Sequence, residues 1–164
     1  MQLEVFGEVV DIPVKAVELA STKAKEMPVI IFCSNTADYK QLIPQAKVFD
    51  GNEVGELNAL LKFLSTSLNA IVLTTSAASK GVDFVFAAFQ AFVIHITLPK
   101  SLVQLKQDSG RGVRGSNLPI VGALFTDKTY FSLEDVELGL AHAEQFDKLY
   151  PADYLQSLQH LEQQ

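Results

Sequence analysis

A single cysteine, Cys33, rules out any disulfide within the chain, and this cysteine usage suits a reducing compartment. The longest apolar runs fall well short of the ~18 residues that span a bilayer, which leaves no membrane partner. The opening residues MQLEVFGEVVDIPVK lack the basic stretch followed by an apolar stretch that marks a secretory leader, so an intracellular location is expected. Positive charge is scarce: 13 lysines and arginines face 19 aspartates and glutamates, for a net charge of -6. That excludes a chain basic throughout, although it leaves room for a local positive patch. Internal repeats and low-complexity tracts are missing. No His, Cys and Asp cluster has metal-ligand spacing, so no metal site is assigned.

What remains is a globular composition. Apolar residues make up 48% of 164 residues and charged residues 20%, enough to bury one ordinary core over residues 1–164. Three continuous apolar runs predict strands covered on both faces: Val29–Cys33, Ala70–Thr74 and Phe92–Ile96. A fourth lies in Leu118–Phe125, pairing from about Ile120, and a shorter one at Lys47–Phe49. Helices fall between them. One runs from Pro13 to Lys25 with the proline in its first turn, and one follows a cap at Ser34 or Asn35 and continues through Tyr39 and Leu42. Val54–Ser65 carries a stripe of Leu57, Leu60, Leu61 and Leu64. Ser132 caps a helix to about Leu149, and a last amphipathic segment runs from Pro151 through Leu161. Strands alternating with helices predict a three-layer α/β/α domain around a mainly parallel sheet, with its core in about 28–130 and C-terminal helices in about 132–162.

In such sheets ligands sit at the carboxyl ends of the strands. Those ends are Ser34–Asn35, Thr75–Ser76, Thr97–Pro99 and the loop around Asp127, and three of the four are rich in hydroxyl or amide groups. Two constellations stand out. Gln107-Asp108-Ser109-Gly110-Arg111-Gly112-Val113-Arg114-Gly115 sets two arginines three apart among glycines. Arginine presents a planar fork that fits phosphate oxygens, and glycine lets backbone approach a ligand. Thr74-Thr75-Ser76-Ala77-Ala78-Ser79-Lys80-Gly81-Val82-Asp83 lines a strand-to-helix turn with hydroxyls, suited either to a phosphodiester backbone or simply to helix capping.

Together these segments resemble the second RecA-like domain of superfamily 2 helicases and translocases, a P-loop NTPase fold. Pro28–Asn35 resembles motif IV. Thr75–Asp83 resembles motif V, a Thr followed by a basic residue, Gly, an aliphatic residue and Asp. Gln107–Arg114 resembles motif VI, Gln-x-x-Gly-Arg-x-x-Arg, and Ile96–Ser101 resembles the strand-Pro-x-Ser lead-in to it. The resemblance spans residues 28–126. It implies the C-terminal motor domain of an ATP-dependent helicase, a hydrolase only as part of a longer protein. Arg111 and Arg114 would be arginine fingers at the γ-phosphate, with Gln107 near the same phosphates or the attacking water. Asp83 would face the ribose or the domain interface, and Gly81 and Gly110 would give close approach and turn geometry. Ser34, Asn35, Thr75, Ser76 and Lys80 would contact the nucleic-acid backbone. ATP with Mg2+ would be held mainly by an N-terminal RecA-like partner domain, and DNA or RNA would be the track.

Two residues depart from the family pattern. Lys80 stands where arginine is usual and lacks the fork. Asp108 stands where many members carry another arginine, and a carboxylate there could pair with Arg111 and hold it away from phosphate. No Gly-x-x-x-x-Gly-Lys-Ser/Thr and no Asp-Glu box occur, so the isolated chain is expected to be inactive toward ATP. Two other functions share these features: a SecA-type protein-translocating ATPase domain, and a degenerate helicase domain serving as a protein-interaction module. Cys33 and His95, inside apolar strands, are expected to be structural. Phe84, Phe86, Phe89 and Phe92 are expected in the core or domain packing, and His142, His160 and the acidic Glu134–Glu144 stretch on helix surfaces.

Overall fold

The computed structural model describes residues 2–7, 9–51, 55–79, 90–96, 107–112 and 121–126. Six strands form one sheet: β1 Gln2–Gly7, β2 Val29–Phe32, β3 Lys47–Phe49, β4 Ile71–Thr74, β5 Phe92–His95 and β6 Val121–Thr126. Their order is β1-β6-β5-β2-β4-β3, and every pairing is parallel. Among the described residues, helices are interleaved with these strands: α1 Ile12–Lys23, α2 Thr36–Leu42, α3 Glu56–Thr66 and the single turn α4 Ser76–Ser79. The expected α/β class with a parallel sheet is therefore what the chain adopts.

α1 and α2 start where a side chain can satisfy their exposed N–H groups, whereas α3 starts from a glycine. Asp11 accepts from the Val14 N–H at 3.2 Å, and Pro13 occupies the first turn of α1. Asn35, one of the two expected caps, accepts from the Asp38 N–H at 3.3 Å. Ahead of α3, Gly55 adopts φ 86°, a left-handed conformation that other residues enter only with strain. The Glu56 carboxylate then turns back to accept from the N–H groups of Asp50 and Gly51, both at 3.1 Å. That start places α3 two residues later than the leucine stripe alone suggests.

Alternate residues of the strands feed two separate cores, as the pleat requires. One face joins Val29, Ile31, Ile71, Leu73, Phe92 and Ile94 to Ala16 and Ala20 of α1 and Tyr39 of α2. The other joins Ile30, Phe32, Val72, Ala91 and Val93 to Leu60 and Leu64 of α3, with Ala78 of α4 against it. The sheet is thus covered on both sides, which explains the unbroken apolar runs of β2, β4 and β5. Cys33 lies in the first core, and burial pushes its thiol up to about 12, so it is an inert apolar residue rather than a nucleophile.

β1 was not among the expected strands. Its sequence, Gln-Leu-Glu-Val-Phe-Gly, mixes polar and apolar residues because it pairs on one side only, in register with β6 from Gln2↔Val121 to Gly7↔Thr126. Phe6 stacks on Phe125 across that pair with ring centroids 4.8 Å apart. The helices expected from Ser132 and Pro151 lie outside the described residues. So do Phe84, Phe86, Phe89, His142, His160 and the Glu134–Glu144 stretch.

Candidate functional site

The strand ends are level. In the register of the sheet Phe32 pairs with Thr74 on one side and His95 on the other. The chain leaves β2 toward the α1–α2 face and leaves β4 toward the α3–α4 face. A parallel sheet whose neighbouring connections diverge in this way opens a crevice at the carboxyl ends of those strands. Ser34–Asn35 and Thr75–Ser76 stand on its two sides, just beyond the last paired residues Phe32 and Thr74. Backbone bonds fasten the crevice floor: Cys33 N–H to Thr74 O at 2.9 Å and Ile96 N–H to Phe32 O at 3.0 Å.

The side chains at this crevice are not equally available. Ser34 is exposed. Asn35 is exposed too, but both ends of its amide are engaged. Its oxygen caps α2, and its nitrogen donates to the Asp38 carboxylate at 2.7 Å. The Thr75 hydroxyl accepts from the Ala78 N–H at 3.0 Å, so it caps α4 and still holds a hydrogen to donate outward. Thr74 is turned inward, with its hydroxyl donating to the Phe49 carbonyl at 2.8 Å. Ser76 begins α4. Lys80, Gly81 and Asp83 of the same constellation lie outside the described residues, as do Thr97–Pro99 and Asp127.

The second constellation forms a helical turn over 107–110, continued by a turn through Arg111 and Gly112. Arg111 N–H donates to Asp108 O, and Gly112 N–H to Ser109 O, both at 3.2 Å. This segment, called here the arginine turn, lies on β5 on the α3–α4 face. Near the end of the strand, His95 Nε2 and Ser109 Oγ lie 2.8 Å apart and both residues are fully buried. Near its start, Ala91 N–H donates to Gly112 O at 2.6 Å. The turn therefore descends against the strand direction. Gln107, which is exposed, belongs to the end nearer the crevice, and the half-buried Arg111 belongs to the lower end. Arg114 lies outside the described residues.

Gly110 and Gly112 differ in what surrounds them. A Cβ on Gly110 would meet nothing within 4 Å. A Cβ on Gly112 would stand 2.6 Å from Val93 Cγ2 and 2.7 Å from Ala91 O. The close seating of this turn on β5 is thus the work of Gly112, between the two arginines, and Gly110 leaves an open surface beside Arg111. Sequence reasoning missed Gly112 because its partner is a strand 20 residues upstream, and no local pattern marks that contact.

His95 is bonded through one nitrogen only. Its Nδ1 has no hydrogen-bond partner among the described residues. Burial pulls its pKa down to about 3, so the ring is neutral, and it stacks on Phe32 with centroids 5.5 Å apart and planes 9° apart. Asp108 is completely buried within the turn. No group of three or more His, Cys, Asp or Glu among the described residues is arranged to hold a metal ion. Among the same residues no helix is long and apolar enough to cross a membrane.

No protein-family model matches the sequence, and no curated protein matches it. Solved structures do match. Domain 2 of the DEAD-box helicase Mss116p, bound to an RNA duplex, superposes with a TM-score of 0.65 at 21% identity, over 87% of this chain and 59% of that one. The E. coli DEAD-box protein SrmB, bound to the regulator RraA, gives 0.61 at 16% identity, over 85% of this chain and 84% of that one. The Mycobacterium smegmatis helicase Lhr, bound to single-stranded DNA and AMP-PNP, gives 0.59 at 18% identity, over 89% of this chain and 21% of that one. The likeness is one of architecture: the chain shares the RecA-like α/β fold of these helicase structures. It spans 59% of the Mss116p chain and about a fifth of Lhr.

Proposed function

We propose that this chain is the C-terminal motor domain of an ATP-dependent nucleic-acid helicase or translocase, acting with a domain that binds ATP. The observation that carries the proposal is the arginine turn anchored along β5, on the same face as α4 and apart from the hydroxyl-lined crevice. Two surfaces with different ligands are what such a domain needs. Thr75, with a hydroxyl hydrogen still to donate, and the exposed Ser34 suit phosphodiester oxygens. Asn35 serves chiefly as the cap of α2, so its contact with the strand would be secondary.

Arg111 and Arg114 would complete a phosphate site formed mostly by the partner domain, which would also hold Mg2+. Bound ATP supplies a γ-phosphoryl group whose transfer spreads negative charge over its oxygens. A guanidinium brought to those oxygens only in the closed state stabilises the transition state more than the ground state. Gln107, exposed at the upper end of the turn, would reach the same cleft. Asp83 and Gly81 would contribute at the ribose side and Lys80 at the nucleic acid. Closure by ATP and reopening after hydrolysis would move Thr75 and its neighbours relative to the strand, a population shift driven by differential affinity. An intracellular setting accompanies that role.

Asp108 favours one other function. A buried carboxylate within the arginine turn would hold Arg111 back from phosphate and leave a degenerate motor domain used for protein interaction. One set of assays decides. The isolated chain should hydrolyse no ATP. Joined to a domain bearing a phosphate loop, it should hydrolyse ATP with stimulation by single-stranded DNA or RNA. Robust turnover by the chain alone would refute the proposal. Turnover stimulated only by an unfolded polypeptide would transfer the domain to the protein-translocating class, and no turnover in any combination would leave the interaction module.

A further inference from the structure

We infer that His95 is a positioning residue: its contact with Ser109, together with the seating of Gly112 on Ala91 and Val93, sets where Arg111 stands over β5. The inference rests on the proposed role of Arg111. It begins from an imidazole in the wrong place for packing alone. His95 occupies a strand position between Ile94 and Ile96, fully buried, where an aliphatic residue would fill the space without bringing polar atoms out of water. Its ring is held flat by the stack on Phe32 of the neighbouring strand, so Nε2 is aimed rather than free to swing. That nitrogen meets the one buried hydroxyl of the arginine turn, at 2.8 Å. Lowering of the His95 pKa by burial keeps the ring neutral, and so keeps this contact in one form at physiological pH.

The second point of attachment is two residues beyond Gly110. The Gly112 carbonyl accepts from Ala91 N–H at 2.6 Å, and the missing side chain lets backbone rest on Val93. Gly110 and Arg111 span the interval between the two points. A turn held at one end pivots, whereas one held at both ends has a single height above the sheet. Arginine fingers need that precision, because small misplacements of a charge-stabilising group forfeit much of its effect.

The test uses substitutions that separate the two ring nitrogens. His95→Gln places an amide near the position of Nε2, whereas His95→Asn places one near Nδ1. In the 164-residue chain the amides of Arg111, Gly112 and Ala91 report the clamp by hydrogen exchange. His95→Asn and Ser109→Ala should speed exchange at these three amides roughly tenfold, while amides of β2 and β4 stay as in the wild type. His95→Gln should restore slow exchange. With an ATP-binding partner domain, Ser109→Ala should lower kcat by about tenfold with little change in KM for ATP, and His95→Gln should retain kcat. Unchanged exchange at 91, 111 and 112 in both Ser109→Ala and His95→Asn would overturn the inference. So would equal acceleration throughout β2 and β4, which would mark a role in stability alone. If the wild type shows no turnover with its partner, the proposed function fails, and the exchange pattern still decides whether the clamp exists.

Discussion

Replacing Gly112 by alanine should destabilise the domain, and replacing Gly110, two residues earlier, should not. The difference is steric. The Cβ of Gly112→Ala would stand 2.6 Å from Val93 Cγ2 and 2.7 Å from the Ala91 carbonyl oxygen. Carbon atoms pack at about 3.5–4.0 Å, so the new methyl intrudes by about 1 Å on two sides. Val93 is fully buried, and the Ala91 oxygen belongs to the backbone at the start of β5, so neither can swing aside. The turn must lift instead, which weakens the 2.6 Å bond from Ala91 N–H to Gly112 O. Overpacking of this kind costs roughly 1–3 kcal/mol, which for a domain of this size lowers Tm by roughly 2–12 °C. Gly110 lies in the helical part of the turn with nothing within 4 Å of its Cβ. Alanine is favoured over glycine in helices by up to about 1 kcal/mol, so Gly110→Ala should melt at or slightly above the wild type. Circular dichroism melts of the three proteins at one concentration make the comparison. A Gly112→Ala protein as stable as the wild type, or an equal loss in Gly110→Ala, would refute the packing described.

Three further outcomes are expected. Because the folded pKa of His95 is depressed to about 3 from 6.5, the unfolded chain takes up a proton first as pH falls; stability is therefore full above about 6.5 and declines toward about 3. His95→Gln should flatten that acid limb in denaturant titrations, and an identical slope would contradict it. Asn35→Ala removes the cap of α2 and frees Asp38, costing about 1 kcal/mol in chemical denaturation. Thr74→Val removes the buried hydrogen bond from its hydroxyl to the Phe49 carbonyl and should cost roughly 0.5–1.5 kcal/mol in the same assay.

Much of the fold is legible in the chain because its central strands are covered on both faces. β2, β4 and β5 read as unbroken apolar runs, within a residue of their observed ends. β3, three residues long, was bounded by the helical segments around it. β1 escaped because an edge strand carries mixed polarity, and only its pairing with β6, more than a hundred residues away, explains it. The site was legible as two motifs in order, but not as geometry. Hydroxyls at Thr75 and an amide at Asn35 look alike in sequence; in the structure one retains a donor and the other is consumed by its cap. The His95–Ser109 contact and the glycine that matters in the arginine turn depend on strand β5 lying beneath that turn, which no spacing reveals.

The central claim is that this domain lends arginines to ATP held by another domain. Single-turnover ATP hydrolysis by the chain joined to its ATP-binding partner, compared with Arg111→Ala and Arg114→Ala, tests it most directly. Loss of a finger should slow the chemical step by roughly a thousandfold or more, with ATP affinity little changed. Wild-type rates in both variants would contradict the claim.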